Sequence, residues 1–217
     1  MNNAKICLCF DFDGTIADSF FLFAEKIQEL APELGYSPIT RDEAERLRKK
    51  DPALVFESIY IPPDELRLLS ERLITELGKD IDRLAPFKGI PEALMKLKEQ
   101  GYRLGLVSSN SEENVKAFLA SHHLSVFDFL ECGCDLSGKP EVLERRLQEM
   151  QLRPGDMVYI ADEVRDAEAA RHVGVRFGAV SWGFSALKNL NTFNPDYVFE
   201  TPGDIATMLF QNRKGEN

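Results

Sequence analysis

Residues 5–15 read KICLCFDFDGT, and this stretch decides the fold. The run from Lys5 to Phe10 is short and apolar, which is typical of a strand buried on both faces of a parallel sheet. Asp11 ends the run, and Asp13 and the turn-forming Gly14 follow directly. Because ligands of open α/β sheets bind at the carboxyl ends of the strands, the stretch predicts an α/β protein whose functional site begins at Asp11.

The rest of the chain divides into two kinds of pattern. From Pro86 onward predicted helices and strands alternate, as in a parallel sheet built by repeated crossovers. We predict these later strands at Arg103 to Val107, Val126 to Leu130, Met157 to Ala161, Val175 to Ser181 and Tyr197 to Phe199. Between Ala17 and Ala85 the periodicity instead predicts helices near 18–34, 41–50 and 64–77, the last ending before Gly78. The predicted fold is a Rossmann-like parallel sheet core, residues 1–16 and 86–217, with an inserted all-helical cap, residues 17–85.

Charge and hydropathy restrict the partners and the location. The chain has 26 Lys plus Arg against 36 Asp plus Glu, a net charge of -10, so it offers no broad cationic face to nucleic acid. No apolar run is long enough to span a bilayer, and the first residues enter a strand pattern instead of a signal peptide. We therefore expect a cytoplasmic protein with no nucleic-acid or membrane partner, while its oligomeric state is left open.

Four cysteines occur as two close pairs, Cys7/Cys9 and Cys132/Cys134. Thiolates at short spacing can hold zinc, so a metal site is one interpretation. We favour packing, because a Cys-x-Cys in an apolar strand places both thiols on one face, where cysteine behaves as a small buried hydrophobe. Whether the pairs have a further role is not decided by the sequence.

Polar side chains also follow the other predicted strands. Ser108 follows the second strand, Lys139 precedes a helix, and Asp162 and Asp166 follow the strand that ends at Ala161. Since parallel strands share one carboxyl edge, these residues are expected to meet Asp11 in one pocket. Crowded carboxylates repel one another unless a hard cation lies among them, which predicts a bound Mg²⁺.

The same residues can bind and transfer a phosphoryl group. Lys139 and Ser108 can hold phosphoryl oxygens, helped by backbone amides near Gly14 and Ser109. Asp11 is the candidate nucleophile, because a carboxylate can form an aspartyl-phosphate. Asp13 can protonate the leaving alcohol and later accept a proton from water.

Four sequence motifs resemble those of the haloacid dehalogenase-type hydrolases, in the family's order. They are DFDGTIADS from residue 11, VSSN from 107, GKP from 138 and ADEVRDAEAARHVG from 161. The helical insertion resembles the cap of the subgroup that includes phosphoglycolate phosphatases and β-phosphoglucomutase. The resemblance covers nearly the whole chain, with one departure: Ala161 stands where the family usually has Gly.

The resemblance implies a role for each matching residue. It makes Asp11 the nucleophile and Asp13 the acid/base and a metal ligand through its backbone carbonyl. Ser108 and Lys139 would hold phosphate, Asp162 would bind the metal, and Asp166 would support the metal site. A magnesium-dependent phosphatase acting on a small phosphorylated metabolite is the implied enzyme.

Other activities of this family are less well matched. Dehalogenating and phosphonate-cleaving members lack the second acid, so Asp13 argues against both. Sugar phosphomutases have a His a few residues after the first motif, whereas this chain reads SFFLF at 19–23. A phosphomutase and a non-catalytic phospho-ligand-binding protein remain the alternatives.

Several further residues receive structural interpretations. Glu163 and Arg165 are expected to be exposed at a loop or helix start, and Trp182 and Phe184 are expected to pack. The basic residues of the predicted cap are interpreted as a solvated face that could also meet a second anionic group of a substrate: Arg46, Arg48, Lys49 and Lys50. No role is assigned to the histidines His122, His123 and His172.

Overall fold

A computed structural model of the chain describes residues 6–34, 40, 42–43, 46, 63–135 and 138–215. Six parallel strands form one sheet in the order β3-β2-β1-β4-β5-β6. The strands are β1 Cys7–Phe10, β2 Arg103–Val107, β3 Phe129–Glu131, β4 Met157–Ala161, β5 Arg176–Val180 and β6 Tyr197–Phe199. The strand order reverses between β1 and β4, and such a switch point is where open α/β sheets form ligand sites. Asp11 follows β1 directly at this point.

Helices cover the sheet and form the insertion after β1. They are α1 Phe20–Leu30, α2 Pro63–Lys79, α3 Ile90–Glu99, α4 Glu112–Ser121, α5 Lys139–Met150, α6 Val164–Val173, α7 Leu187–Leu190 and α8 Pro202–Gly215. Local sequence explains several ends: Ser111 caps α4 by accepting a hydrogen bond from Asn114 N, and Pro140 lies in the first turn of α5. Gly174 ends α6 in the left-handed conformation, with φ of 78°.

Alternate residues of the strands pack into different core clusters. Leu8 and Phe10 of β1 belong to one cluster and Cys7 and Cys9 to another. The Sγ atoms of the two cysteines lie 3.7 Å apart, and both side chains are fully buried. Cys7 and Cys9 thus occupy packing positions, as the strand periodicity indicates.

The insertion leaves and re-enters the core at adjacent points. Asp18 N donates to Ala85 O at 3.0 Å, and Ala17 forms a bridge with Pro86. A third apolar cluster joins α1 and α2 of the insertion to Phe184, which follows β5; it also includes Phe20, Ile27, Leu69 and Leu73. The parallel sheet core with inserted helices confirms the predicted fold class, while the exact limits of the cap stay a prediction. Most of the predicted helix at 41–50, with Arg48, Lys49 and Lys50, lies outside the described residues.

Two differences between predicted and observed element boundaries bear on packing. The apolar run from Val126 was expected to be a strand, but pairing with β2 begins only at Phe129. Just before this point Leu104 N donates to the Asp128 carboxylate instead of to a backbone carbonyl, and Asp128 N donates to Leu104 O, each at 2.7 Å. Gly78 was expected to lie beyond its helix, whereas α2 continues through it to Lys79. Among the described residues, no helix has both the length and the apolar character needed to cross a membrane.

Candidate active site

The loop after β1 positions the first two acids. Asp11 N donates to Ile160 O at 2.9 Å, which extends the pairing of β1 with β4 by one residue. Phe12 is buried in the core and its carbonyl accepts from the N–H groups of Ile16 and Ala17, both at 2.9 Å. The turn depends on Gly14, whose φ of 77° is left-handed. Asp11 and Asp13 are both buried despite their charge.

A buried lysine joins the first acid to the fourth motif. Lys139 Nζ lies 2.9 Å from Asp11 Oδ1 and 2.6 Å from Asp166 Oδ1, and only 1% of Lys139 is exposed. Tyr159 OH donates to the same Asp166 oxygen at 3.1 Å. Burial opposes the charged form of Lys139, but the two carboxylates outweigh it and raise its pKa, so the lysine is cationic at neutral pH.

Burial dominates the titration of Asp11. It raises the pKa of this carboxyl from 3.8 to about 7, although the Lys139 ammonium acts in the opposite direction. Asp166 raises the pKa of Asp11 further by repulsion. A carboxylate that titrates near neutrality is sensitive to any added positive charge.

Asp162 is held tightly beneath the loop. Its Oδ1 accepts from Thr15 Oγ1 at 2.7 Å, and its Oδ2 accepts from the backbone N–H of Phe184 at 2.6 Å. Two glycines make room for it: a Cβ at Gly14 would lie 2.3 Å from Asp162 Oδ2, and one at Gly183 would lie 2.1 Å from Asp162 Cβ. Burial, followed by repulsion from neighbouring acids, raises the pKa of Asp162 well above its ordinary value.

The end of β2 connects to Asp13 through a residue that sequence analysis missed. Ser108 Oγ accepts from Asn110 N at 3.0 Å, and Asn110 Nδ2 donates to Asp13 Oδ2 at 2.9 Å. Burial raises the pKa of Asp13, and the Asn110 hydrogen bond acts against this shift. Ser108 is buried and Ser109 half-buried beside this contact. The N in the VSSN motif was a signal, but nothing in the sequence indicates which acid it contacts.

Asp11 also belongs to a group of three neighbouring carboxylates. One oxygen each from Asp11, Glu163 and Asp166 lie within 4.8 Å of one another. Glu163 is half-buried and its Oε1 lies 2.6 Å from Arg165 Nη2, so the interpretation of these two residues as exposed is wrong. Of the four acids predicted to bind metal, the group contains Asp11 and Asp166 and does not contain Asp13 or Asp162.

Three comparisons relate this chain to known proteins. The family model described as haloacid dehalogenase-like hydrolase matches residues 8–180. A phosphoglycolate phosphatase from Synechococcus elongatus is 33% identical over 205 residues, covering 94% of this chain and 97% of that protein. The pyrophosphatase PpaX of Listeria monocytogenes is 26% identical, covering 93% and 95%. A solved haloacid dehalogenase-like hydrolase from Streptococcus pneumoniae superposes with a TM-score of 0.76 at 22% identity, covering 95% of this chain and 99% of that chain.

This chain belongs to the haloacid dehalogenase-like hydrolase family. The family model begins within β1, which precedes Asp11, and continues to the end of β5. The predicted membership and the predicted hydrolase are therefore confirmed. The similarity to proteins named as phosphatases agrees with a phosphoric monoester hydrolase.

The acids of this haloacid dehalogenase-like site fit a hard divalent cation. Five carboxylates and only two cationic side chains are present at the site. The acids are Asp11, Asp13, Asp162, Glu163 and Asp166, and the cations are Lys139 and Arg165. Within the described part of the chain, Asp166 Oδ2 is buried without a hydrogen-bond partner. An unsatisfied carboxylate oxygen in a group with excess negative charge is a suitable ligand for Mg²⁺.

The aromatic residues after β5 support the same loop. Trp182 Nε1 donates to Thr15 O at 3.1 Å. The ring of Phe184 packs edge-on against Phe20 and Phe23 of α1, with centroids 5.5 and 5.6 Å apart. Both contacts agree with the packing role expected from the sequence.

Proposed function

We propose that this chain is a magnesium-dependent phosphatase that hydrolyses a small phosphomonoester of the phosphoglycolate type. The observation that carries the proposal is the buried Asp11 carboxylate, paired with Lys139 and grouped with Glu163 and Asp166 at the switch point of the sheet. A nucleophile, a fixed cation and ligands for a metal are thus present together.

In the first half-reaction a carboxylate oxygen of Asp11 attacks phosphorus. A bond forms between that oxygen and phosphorus while the bond from phosphorus to the ester oxygen breaks, which gives an aspartyl-phosphate. Asp13 donates its proton to the departing oxygen, so that the product leaves as a neutral alcohol group. The raised pKa of Asp13 favours the protonated form that this step needs.

In the second half-reaction water attacks the phosphorus of the aspartyl-phosphate. Asp13, now a carboxylate, accepts a proton from that water. The bond between phosphorus and the Asp11 oxygen breaks, and inorganic phosphate and the original carboxylate result. The two steps together consume one water molecule and one ester.

Fixed positive charge and donors would hold the phosphoryl oxygens. The Lys139 ammonium, the Ser108 hydroxyl and the backbone amides of Gly14 and Ser109 are the proposed set. Mg²⁺, when bound, would neutralise negative charge that develops on the phosphoryl oxygens. Asp11, Asp162, Asp166 and the Asp13 carbonyl are the proposed ligands, and Glu163 is a further candidate because of its distance from Asp11 and Asp166.

Magnesium binding is expected to release protons near neutral pH. The pKa of Asp11 in the metal-free protein is about 7, so near neutral pH a fraction of the molecules carries this proton and must lose it before the carboxylate can bind a cation. Through Asp11 alone, the apparent affinity should therefore rise with pH by at most about tenfold per pH unit below that pKa. Isothermal titration calorimetry at about pH 6 and about pH 8, in buffers of different ionisation enthalpy, measures the released protons.

The same shift fixes the sign of the stability change in metal-free protein. The folded pKa lies above the ordinary 3.8, so the native state binds more protons between pH 3.8 and about 7, and Asp11 makes stability fall as pH rises through this window. Added Mg²⁺ should offset the loss.

The Asp11→Asn variant is the control for the calorimetric measurement, and an unchanged proton release in that variant would contradict the assignment to Asp11.

A panel of phosphometabolites tests the activity itself. The purified protein should release inorganic phosphate from at least one small phosphomonoester, and should stop when the divalent cation is chelated. Phosphoglycolate belongs in the panel because of the Synechococcus elongatus relative, and pyrophosphate because of the PpaX relatives. Phosphate release that persists unchanged in excess chelator would contradict the metal requirement.

The panel also separates the alternatives. A sugar phosphomutase would isomerise a sugar phosphate without net phosphate release, and a binding protein would retain a phospho-ligand without turnover. Residues 19–23 read SFFLF and lack the His that sugar phosphomutases have after the first motif, which counts against the mutase. A small phosphorylated substrate, no nucleic-acid partner and a cytoplasmic location remain part of the proposal.

A further inference from the structure

A chain of buried side-chain amides connects Asp13 to the cap helix α2. Asn110 Nδ2 donates to Asp13 Oδ2, and Asn114 Nδ2 donates to Asn110 Oδ1, each at 2.9 Å. Asn114 Nδ2 also donates to the backbone carbonyl of Ile74 in α2, at 2.9 Å. Asn110 is 1% exposed and Asn114 is 8% exposed. The proposed acid/base is thus linked to the insertion through two residues of the core.

The direction of these hydrogen bonds is fixed by backbone groups. Asn110 Oδ1 accepts from Ser111 N at 2.8 Å, so this atom must be the oxygen and the amide nitrogen must face Asp13. Asn114 faces two acceptors, Ile74 O and Asn110 Oδ1, so its nitrogen must lie between them. Neither amide can turn over without losing at least two hydrogen bonds in a buried site.

Gly78 gives Asn114 access to the cap helix. Ile74 and Gly78 are one helical turn apart, so they share a face of α2. A Cβ at position 78 would lie 2.5 Å from Asn114 Oδ1 and 3.2 Å from its Cγ. Glycine inside a helix is unfavourable relative to alanine, and the approach of Asn114 is a specific reason for it here.

We propose that Asn110 and Asn114 form a relay through which α2 sets the orientation of the Asp13 carboxylate. Asn114 is then a positioning residue, which acts on the reaction through Asn110. The relay rests on the proposed function, because it assigns proton donation to Asp13. A cap helix seated against Asn114 keeps Asp13 Oδ2 bound to Asn110 and so holds the other oxygen in one direction.

The test compares two esters that differ in their need for a general acid. The glycolate oxygen leaves phosphoglycolate as an alkoxide and requires a proton, whereas p-nitrophenolate leaves p-nitrophenyl phosphate as a stabilised anion and requires little help. A misdirected Asp13 should therefore reduce kcat for the alkyl ester and leave kcat for the aryl ester nearly unchanged. Asp13→Asn supplies the reference pattern for complete loss of the acid.

Asn114→Ala removes the link while it keeps the backbone N–H that binds the Ser111 cap. Its kcat on phosphoglycolate should fall by about tenfold, a fraction of the whole effect of a general acid, and on p-nitrophenyl phosphate by less than about twofold. Gly78→Ala should give the same pattern by displacing Asn114. The double variant should be no worse than Asn114→Ala alone, because the added methyl then has no side chain to displace.

Gly203→Ala is the matched control for the helical substitution. Gly203 lies in α8, and a Cβ there would have its nearest neighbour at an ordinary 3.8 Å, so both esters should be hydrolysed at wild-type rates. Thermal unfolding of each variant separates positioning from folding, since Gly78→Ala should lose alkyl-ester turnover while it remains folded.

The outcomes distinguish the relay from the proposed function. Equal losses on both esters in Asn114→Ala and Gly78→Ala, or additive losses in the double variant, would overturn the relay alone. Wild-type protein inactive on every phosphomonoester of the panel, p-nitrophenyl phosphate included, would overturn the proposed function and the relay with it. The ester-selective and non-additive pattern is the result that supports the relay.

Discussion

Asn in place of Asp11 is expected to reduce phosphate release on the order of 10⁴-fold or more, because the carboxamide cannot form the aspartyl-phosphate. The substitution keeps the shape of the side chain and replaces a buried carboxyl whose pKa is raised to about 7. Because burial already disfavours the charge of that carboxyl, the neutral variant should remain folded. Initial rates on the best substrate of the panel measure the loss. Intact mass after acid quenching should show a phosphorylated species in wild-type protein and none in the variant.

Asp18→Asn is the matched control for this substitution. Asp18 belongs to the same loop but is exposed, whereas Asp11 is buried. The control should keep wild-type turnover. An Asp11→Asn variant that retains a substantial rate, or a wild-type phosphoryl adduct on a residue other than Asp11, would contradict the nucleophile assignment.

The central part of the site follows from topology, so the sequence could predict it. Asp11 directly follows a strand, and Lys139 and Asp166 lie in the first turns of helices that follow strands. Strand ends and the starts of the following helices meet at one edge of a parallel sheet. The structure indeed brings these three side chains into direct contact. Strand patterns and motif order were sufficient here, since no detail of side-chain packing is needed to place them.

The contacts around this centre depend on packing that periodicity does not contain. Glu163 points toward Asp11 and Asp166 instead of into solvent, which depends on its own rotamer and on Arg165. Gly78 resembled a helix terminus because glycine usually ends helices, yet here it accommodates Asn114. Its role could be recognised only when the insertion and the core were seen together.

Lys139→Met is expected to damage both the fold and the activity. Methionine fills similar space, but it leaves Asp11 and Asp166 buried without the ammonium that lies 2.9 and 2.6 Å from them. Removal of one partner from a buried ion pair typically costs about 3–5 kcal/mol of unfolding free energy. Loss of the charge that we propose holds the phosphoryl group should reduce kcat by roughly 10²–10³-fold, as for other electrostatic groups of this kind.

The pH dependence of the Lys139→Met variant separates the charge effect from a packing defect. Without the ammonium, the pKa of Asp11 should rise further above about 7, so the stability deficit should be largest at alkaline pH and shrink as Asp11 takes up its proton. Mg²⁺ should restore part of the deficit, since it supplies positive charge to the same acids. Urea denaturation at several pH values, with and without Mg²⁺, measures both effects.

Lys116→Met is the matched control for Lys139→Met. Lys116 is exposed on α4, where it pairs with Glu112 at 2.6 Å, so its loss should change the unfolding midpoint little at any pH. A Lys139→Met deficit that is constant across pH and insensitive to Mg²⁺ would indicate a cavity or a clash. Under the electrostatic account, the two carboxylates gain their stability from the positive charge between them, and any cation that reaches them should share that role.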